Sequence, residues 1–334
     1  MFFIIVKLIG AIFIFTFGLK LIGYSAENLS SKKVKQSLIK LSDNKLLACG
    51  LGVISTAFCQ SSVATNVICI SFVNNGSLSV MGACAFEIGS NVGSTLTAQI
   101  VSLGSSGFFD LLFLGSLVAI FGFILLSCKN ETTKNVGGML MGFCLVFLAI
   151  NLLSLEAESL QNFWWFQKLF LIKSPAILLL NGFFITALCQ SSSVISTVII
   201  ILASKNVLGF SSAIHLIMGA NIGTCIPVIL ACKNKDKTAY FVATFNLIFN
   251  IFGVVVYWLV YLISAGGVCD LLRKTSFSVS RQIANFHTIF NVFSGLLCLI
   301  VLPQFIRFTK LITERFLNIN ANRVNKNENF VKVK

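Results

Sequence analysis

Acidic side chains are scarce in this sequence: 11 Asp and Glu among 334 residues, against 25 Lys and Arg. A soluble core of this size needs a polar shell, and 11% charged residues beside 56% apolar ones cannot supply it. With only three prolines and a mean hydropathy of +0.92, the chain is not an ordinary soluble domain. Histidine occurs twice, at His215 and His287, in different apolar runs, so it forms no metal pattern. Eleven cysteines contain no Cys-x-x-Cys pair, and only Cys269 falls in an expected outer loop. They read as small, weakly polar packing residues, with neither a disulfide framework nor a transition-metal site expected. The first apolar run lacks a basic region before it and a clean small-x-small cleavage site after it, so it reads as a retained helix.

What the chain has in quantity is apolar runs, at residues 3–24, 108–127, 136–153, 239–263 and 283–302. Each approaches or exceeds the ~20 residues a helix needs to cross a bilayer. The fold class expected is an all-α polytopic membrane protein. The formal charge of +14 lies in loops and tail, not on an aromatic-interleaved face. It therefore reads as a topology signal and an attraction for anionic lipid, with no nucleic-acid partner.

Polar residues break the apolar pattern twice, at a constant offset. "TAFCQSS" (56–62) returns 130 residues later as "TALCQSS" (186–192), and "GSNVGS" (89–94) returns as "GANIGT" (219–224). Between residues 56 and 95 the shifted chain matches itself at 12 of 40 positions without a gap, and the matches include the polar residues Thr56, Gln60, Ser61, Ser62 and Asn91. In each copy two apolar pieces, too short to cross, flank the triplet, which predicts a re-entrant helical hairpin. A full-length span follows, with a break predicted at Gly-x-Asn-x-Gly. Irregular backbone at membrane depth persists only where protein or a wet cavity satisfies it. Three full spans separate the hairpins, an odd number, so the two repeats are expected to be inverted. About seven crossings plus two hairpins result.

Positive charge gives the same topology. With the loop after the first helix inside, 17 Lys and Arg fall on the cytoplasmic side and five outside. This places the N-terminus outside and the C-terminus in the cytoplasm of a bacterial-type plasma membrane. The expected organisation is a first helix and basic loop (1–45), repeat 1 (46–153), an outer interfacial linker (154–174) around "NFWWFQKLF", repeat 2 (175–303) and a basic tail (304–334).

Inverted repeats with interrupted helices are the architecture of secondary transporters, not enzymes. Half-helix starts offer unpaired N–H groups and partial positive charge, so Gln60, Ser61 and Ser62 with Gln190, Ser191, Ser192 and Ser193 form a candidate cradle for an oxyanion. No Lys or Arg lies near, so co-bound cations must compensate its charge. Oxygens for sodium are at hand on Gln60, Asn91, Ser94, Thr95, Gln190, Asn221 and Thr224. Glu87, the one acid deep in a span, is a further cation candidate on the helix face of Asn91. Asp110 reads as a helix N-cap. Asn246, Asn250, His287 and Asn291 read as packing contacts between spans. The residues alone leave the anion open among phosphate, sulfate, arsenate and carboxylates. A serine-dependent intramembrane hydrolase is disfavoured, since no base stands near either triplet.

These paired Gln-Ser-Ser and Gly-x-Asn-x-Gly motifs resemble those of the type II sodium-dependent phosphate cotransporters, over roughly residues 46–302. The resemblance implies inorganic phosphate as substrate, sodium as coupling ion with no other cofactor, and the two triplets as a shared site. The chain departs from that family's pattern at Val63, where a third serine is expected; the lost hydroxyl bears on sodium stoichiometry or affinity. The short tail is expected to lack the family's C-terminal regulatory domain.

Overall fold

The computed structural model describes residues 2–29, 44–74, 77–105, 110–232, 236–264 and 266–315, and among these it contains helices and no strands. Lys32, Lys33, Lys35, Lys40, Lys233, Lys235 and the tail beyond 315 lie outside the described residues. The helices are α1 (Phe2–Leu29), α2 (Lys45–Cys59), α3 (Ser62–Asn74), α4 (Val80–Ser105), α5 (Leu111–Leu126), α6 (Glu131–Glu156), α7 (Trp164–Phe170) and α8 (Pro175–Cys189). They continue with α9 (Ser192–Ser204), α10 (Phe210–Gly223), α11 (Cys225–Ala231), α12 (Lys237–Ile263), α13 (Gly267–Arg273), α14 (Val279–Ile300) and α15 (302–315). The protein is an integral membrane protein. Five spans among the described residues are long and apolar enough to cross a membrane, or six if α7 and α8, which meet at 112°, count as one.

The seven expected crossings included α4 and α5, which do not qualify by length and composition. α5 has 16 residues, or ~24 Å against a ~30 Å hydrocarbon layer. α4 has the length but not the apolarity; its Glu87, Ser90, Asn91, Thr95, Thr97 and Ser102 are all buried inside the protein. Asp110 caps α5 as expected, accepting from Leu112 and Phe113 N–H. The linker between the repeats forms a 3-10 turn (Glu158–Asn162) and then α7, whose Phe166 and Phe170 are buried.

Both short pairs, α2–α3 and α8–α9, fold around their triplets. Close approaches reveal helix direction: Gly89 of α4 lies against the Cys49 carbonyl of α2, and Gly93 against that of Val53. Residue numbers rise together, so α2 and α4 run parallel and α3 must return between them. In the second copy Gly219 lies against the Leu179 carbonyl and Gly223 against that of Phe183, each shifted by 130. Small residues let helices approach to backbone contact, which is how helices associate without a hydrophobic driving force in lipid.

The predicted interruption at Gly-x-Asn-x-Gly is present in neither copy, since the motif is helical in both, and only the second copy parts just beyond it. α4 runs unbroken through Gly89–Gly93, whereas α10 and α11 part at Thr224. The difference is Pro227, which lacks an N–H and whose ring crowds the carbonyl four residues back, at Gly223. The equivalent position in α4 is Thr97, which imposes neither constraint. The glycines thus serve packing in both helices, and proline makes the break.

Around this pair of units, α14 runs antiparallel to α4: Gly295 lies on Ile88, Thr288 on Gln99, and Ser280 on Ser102. α13, which precedes α14, reaches the start of α10, where Arg273 stands over the Phe210 ring. Ion pairs Lys7–Glu156 and Lys205–Glu158 gather the start of α1 and the ends of α6 and α9. Opposite ends are joined by Asn28 with Asn135, and by Lys45, whose Nζ donates to the Leu299 carbonyl at 3.0 Å. The tail begins as α15, with Phe305 packed edge-on against Phe245 and Phe252.

Glycine packing yields a direct test. Gly89→Ala or Gly219→Ala would drive a methyl into a backbone carbonyl, whereas Gly10 has open space. Each of the first two is expected to cost at least about 1–3 kcal/mol, seen as a lower melting temperature of the detergent-solubilised protein, with Gly10→Ala unchanged.

Candidate functional site

Each triplet is built the same way. α2 ends at Gln60 with φ 52° and ψ 23°, and α8 ends at Gln190 with φ 56° and ψ 22°. The left-handed conformation costs an ordinary side chain about 1–2 kcal/mol and usually falls to glycine. It lets each glutamine N–H return to a carbonyl one turn back, Thr56 at 2.8 Å and Thr186 at 2.7 Å. The next residue starts the second arm: Ser61 Oγ accepts from Ala64 N–H at 3.3 Å, and Ser191 Oγ from Val194 N–H at 3.4 Å. Gln-Ser therefore closes one half-helix and caps the next. Ser62, Ser61, Ser191 and Ser193 are half-buried and Ser192 is buried. Val63 packs against the apolar cluster beneath the first hairpin.

The motif asparagines are equally paired. Ser94 Oγ donates to the Asn91 carbonyl at 2.7 Å and its counterpart Thr224 to the Asn221 carbonyl at 2.6 Å. Thr95 donates to the Val92 carbonyl at 2.8 Å. Asn91 Nδ2 reaches Asn246 Oδ1 on α12 at 3.0 Å, while Asn221 Oδ1 meets His287 Nε2 on α14 at 3.0 Å. Asn246 Oδ1 also accepts from Asn250 Nδ2, and Asn291 donates to the His287 carbonyl. Of the residues read from sequence as packing contacts, Asn246 and His287 join spans through the two motif asparagines, while Asn250 meets Cys225 and Asn291 bonds within its own helix.

The halves then diverge. Gln60 is only 7% exposed, and its Oε1 accepts from Thr97 at 2.8 Å, while Gln190 is exposed. The position equivalent to Thr97 is Pro227, which has no hydroxyl. Thr56 and Ser90 share a 2.8 Å hydrogen bond; their counterparts are Thr186, whose hydroxyl is buried without a partner, and Ala220. Buried polar atoms lacking partners sort accordingly. On α3, α4 and α12 they are acceptors: Asn66 Oδ1, both Glu87 oxygens and Asn250 Oδ1. On α8, α9, α10 and α14 they are hydroxyls, imidazole nitrogens and the Asn221 amide Nδ2.

With this geometry in place, comparison with known proteins is decisive. The family model described as Na+/Pi-cotransporter matches residues 14–155 and 167–297. The chain belongs to the Na+/Pi-cotransporter family. The family is one of membrane transporters. Among curated relatives, the uncharacterized protein YqeW of Bacillus subtilis (strain 168) is 28% identical over 92% of this chain and 98% of its own length. The Escherichia coli (strain K12) protein named "Putative inorganic phosphate export protein YjbB" is 25% identical over 92% of this chain but only 55% of its own length. "Sodium-dependent phosphate transport protein 2A" of Rattus norvegicus is 35% identical over 92 residues, 26% of this chain and 14% of the relative. No solved structure matches the chain.

Thr97, Ser90 and Asn66 escaped sequence reasoning. Thr97 and Ser90 face Pro227 and Ala220 in the repeat, and Asn66 faces the different polar residue Ser196, so a search for identical polar positions passes over all three. Only the fold of this Na+/Pi-cotransporter family member brings Thr97 to the hairpin tip. Thr97→Val leaves the buried Gln60 oxygen unpaired and is expected to destabilise the protein by about 1–3 kcal/mol. Thr97→Ser restores the donor, and paired thermal melts of the two variants check the assignment.

Proposed function

We propose that this protein carries inorganic phosphate across the membrane in symport with sodium, by alternating access around a site shared by the two triplets. Gln60, Ser61, Ser62, Gln190, Ser191, Ser192 and Ser193 hold the anion through hydroxyls, amides and half-helix starts. Asn91, Asn221, Ser94, Thr95 and Thr224, with the two glutamines, supply oxygens for sodium. The observation that carries the reading is the pair of left-handed glutamine caps, each followed by a capping serine that opens a half-helix. Two helix N-termini and no basic side chain make an anion site whose charge needs cations beside it.

The family and the names of relatives support phosphate as the cargo. Inversion of the repeats is supported by helix direction: α4 runs against α14, and α13, which leads into α14, reaches the start of α10. The N-out, C-in orientation rests on the charge count, and the two sets of tied helix ends agree with it. Direction of net flux follows the gradients, because a symporter is reversible.

Labelled phosphate uptake into proteoliposomes, with an inward sodium gradient against matched potassium, tests the proposal. Accumulation above equilibrium only with sodium is the expected result. Sodium-independent equilibration removes the coupling, and displacement of label by sulfate but not by unlabelled phosphate removes the substrate. Ser61→Ala and Ser191→Ala each lose a helix cap and an anion donor, about 1–2 kcal/mol, so initial rates at low phosphate fall ~5- to 30-fold.

A further inference from the structure

Arg281 stands in the first turn of α14 with a charge that the fold does not answer. It is half-buried, and among the described residues no carboxylate reaches it. The acids at this end of the bundle are all committed. Glu156 holds Lys7 at 2.6 Å, Glu158 holds Lys205 at 3.9 Å, Asp270 holds Arg273 at 3.7 Å, and Asp110 takes the N–H groups that open α5. Nor does the charge serve its own helix, because a cation in the first turn stands against the positive end of the macrodipole. The guanidinium offers five N–H donors in a planar fork. One of them, on Nη1, lies 3.4 Å from Ser102 Oγ, a long contact to a hydroxyl that itself donates to the Gln99 carbonyl at 2.9 Å. The others meet no acceptor among the described residues.

The surroundings of Arg281 are polar and tied together. Ser102 and Ser280 are both 0% exposed. Ser280 Oγ lies 3.5 Å from the Ser102 carbonyl and 2.7 Å from Ser278 Oγ. One turn deeper, Gln99 Nε2 donates to Thr288 Oγ1 at 2.8 Å and to Asn285 Oδ1 at 3.3 Å. Asn285 Nδ2 in turn reaches Thr275 Oγ1 at 3.2 Å, so α4, α14 and the segment before α14 share one polar seam. Ser102 stands five residues beyond Thr97 on α4, ~7.5 Å along the axis. Thr97 holds Gln60, so the seam lies a short step from the first triplet. At the repeat offset Gln99 and Ser102 meet Ile229 and Cys232, so the second repeat carries no copy of it.

We propose that Arg281, steadied by Ser102, is a second oxyanion site, apart from the triplets, that takes a phosphate group on its guanidinium fork. The planar fork matches two phosphate oxygens with two parallel, charge-assisted hydrogen bonds. The choice of phosphate rests on the transport reading above. Two sources supply the group: inorganic phosphate and the headgroup of an anionic lipid. The two oxyanion sites differ in how charge is balanced. The triplets carry no charge and need cations beside their anion, whereas Arg281 brings its own. Phosphate therefore binds at Arg281 without sodium. At the end of the bundle that the charge count places outside, the site gathers phosphate ahead of the triplets.

The test is the melting temperature of the purified full-length protein in an uncharged detergent, with choline in place of sodium. Inorganic phosphate at tenfold above half-saturation is expected to raise it by roughly 2–5 °C. Arg281→Gln loses this gain. Arg281→Lys keeps the charge without the fork and needs about tenfold more phosphate. Arg273→Gln, the same charge removed from the guanidinium that Asp270 answers, keeps the full gain. If Arg281→Gln does not elute as a folded species, the shift in Arg281→Lys carries the test. Dihexanoyl phosphatidylglycerol is the second probe. A gain with this lipid that Arg281→Gln removes, and none with inorganic phosphate, assigns the group to a lipid headgroup. A full gain in Arg281→Gln, an unshifted half-saturation in Arg281→Lys, or no gain with either probe overturns the site. So does a phosphate gain that Ser191→Ala abolishes, since it then belongs to the triplets. Without sodium the triplets stay out of the measurement, so a failure here leaves the transport reading standing. Failed sodium-coupled uptake with an intact gain leaves the Arg281 site standing.

Discussion

Ending a helix inside an apolar slab exposes backbone groups where no water can satisfy them, and the rest of this structure depends on how that is solved. The solution is local and occurs twice. A glutamine turns left-handed, returns its N–H to a threonine carbonyl, and hands the chain to a serine that caps the next helix. Everything around the tips serves to bury this irregular backbone in protein. The parallel α2–α4 and α8–α10 pairs press against each other at glycines, which seals the tip against lipid without any side chain in the way.

A duplicated scaffold gives two copies of the same backbone device, but not two copies of the same chemistry. Substitutions at equivalent positions have moved the halves apart: Thr97 against Pro227, Ser90 against Ala220, Glu87 against Ile217. The first half holds its glutamine by a hydroxyl and leaves only acceptors unpaired; the second breaks its helix with proline, exposes its glutamine and leaves hydroxyls, imidazole nitrogens, the Asn221 amide donor and the Asn250 amide oxygen unpaired. In the proposed cycle that separation has a use. Cations and anion are drawn to neighbouring places by different atoms, and neither needs a basic side chain.

The remaining helices act as frame and fastening. α1, α5 and α6 pack together through small residues, with Gly18 facing Gly142 and Gly122 facing Gly137. Polar ties occur at helix ends, where Lys7, Lys45 and Lys205 reach partners on other elements. Exposed pairs of this kind add little stability, so their value lies in fixing which ends stand together. α15 continues the chain onto the core through Phe305, which a reading of the tail as polar did not foresee.

Composition and periodicity were enough to establish the membrane class, because no soluble fold can bury so much apolar surface behind so few charges. The duplication was legible because polar residues recur at a fixed offset in an apolar background, and the Gln-Ser-Ser tips were legible for the same reason. Asp110 was readable as a cap because capping is a local interaction between residues two and three apart. What the sequence could not decide is whatever depends on comparison across space. Gly-x-Asn-x-Gly looked like a break in both repeats, yet glycine permits a break without compelling one, and only proline four residues after Gly223 forces it. Thr97 has no polar counterpart at the repeat offset and Asn66 meets a different polar residue, Ser196, so no identity marked them. The meaning of Thr97 comes from which helix face the packing turns toward Gln60, a choice made by tertiary contacts because side chains separated by tens of residues meet only after the helices are docked.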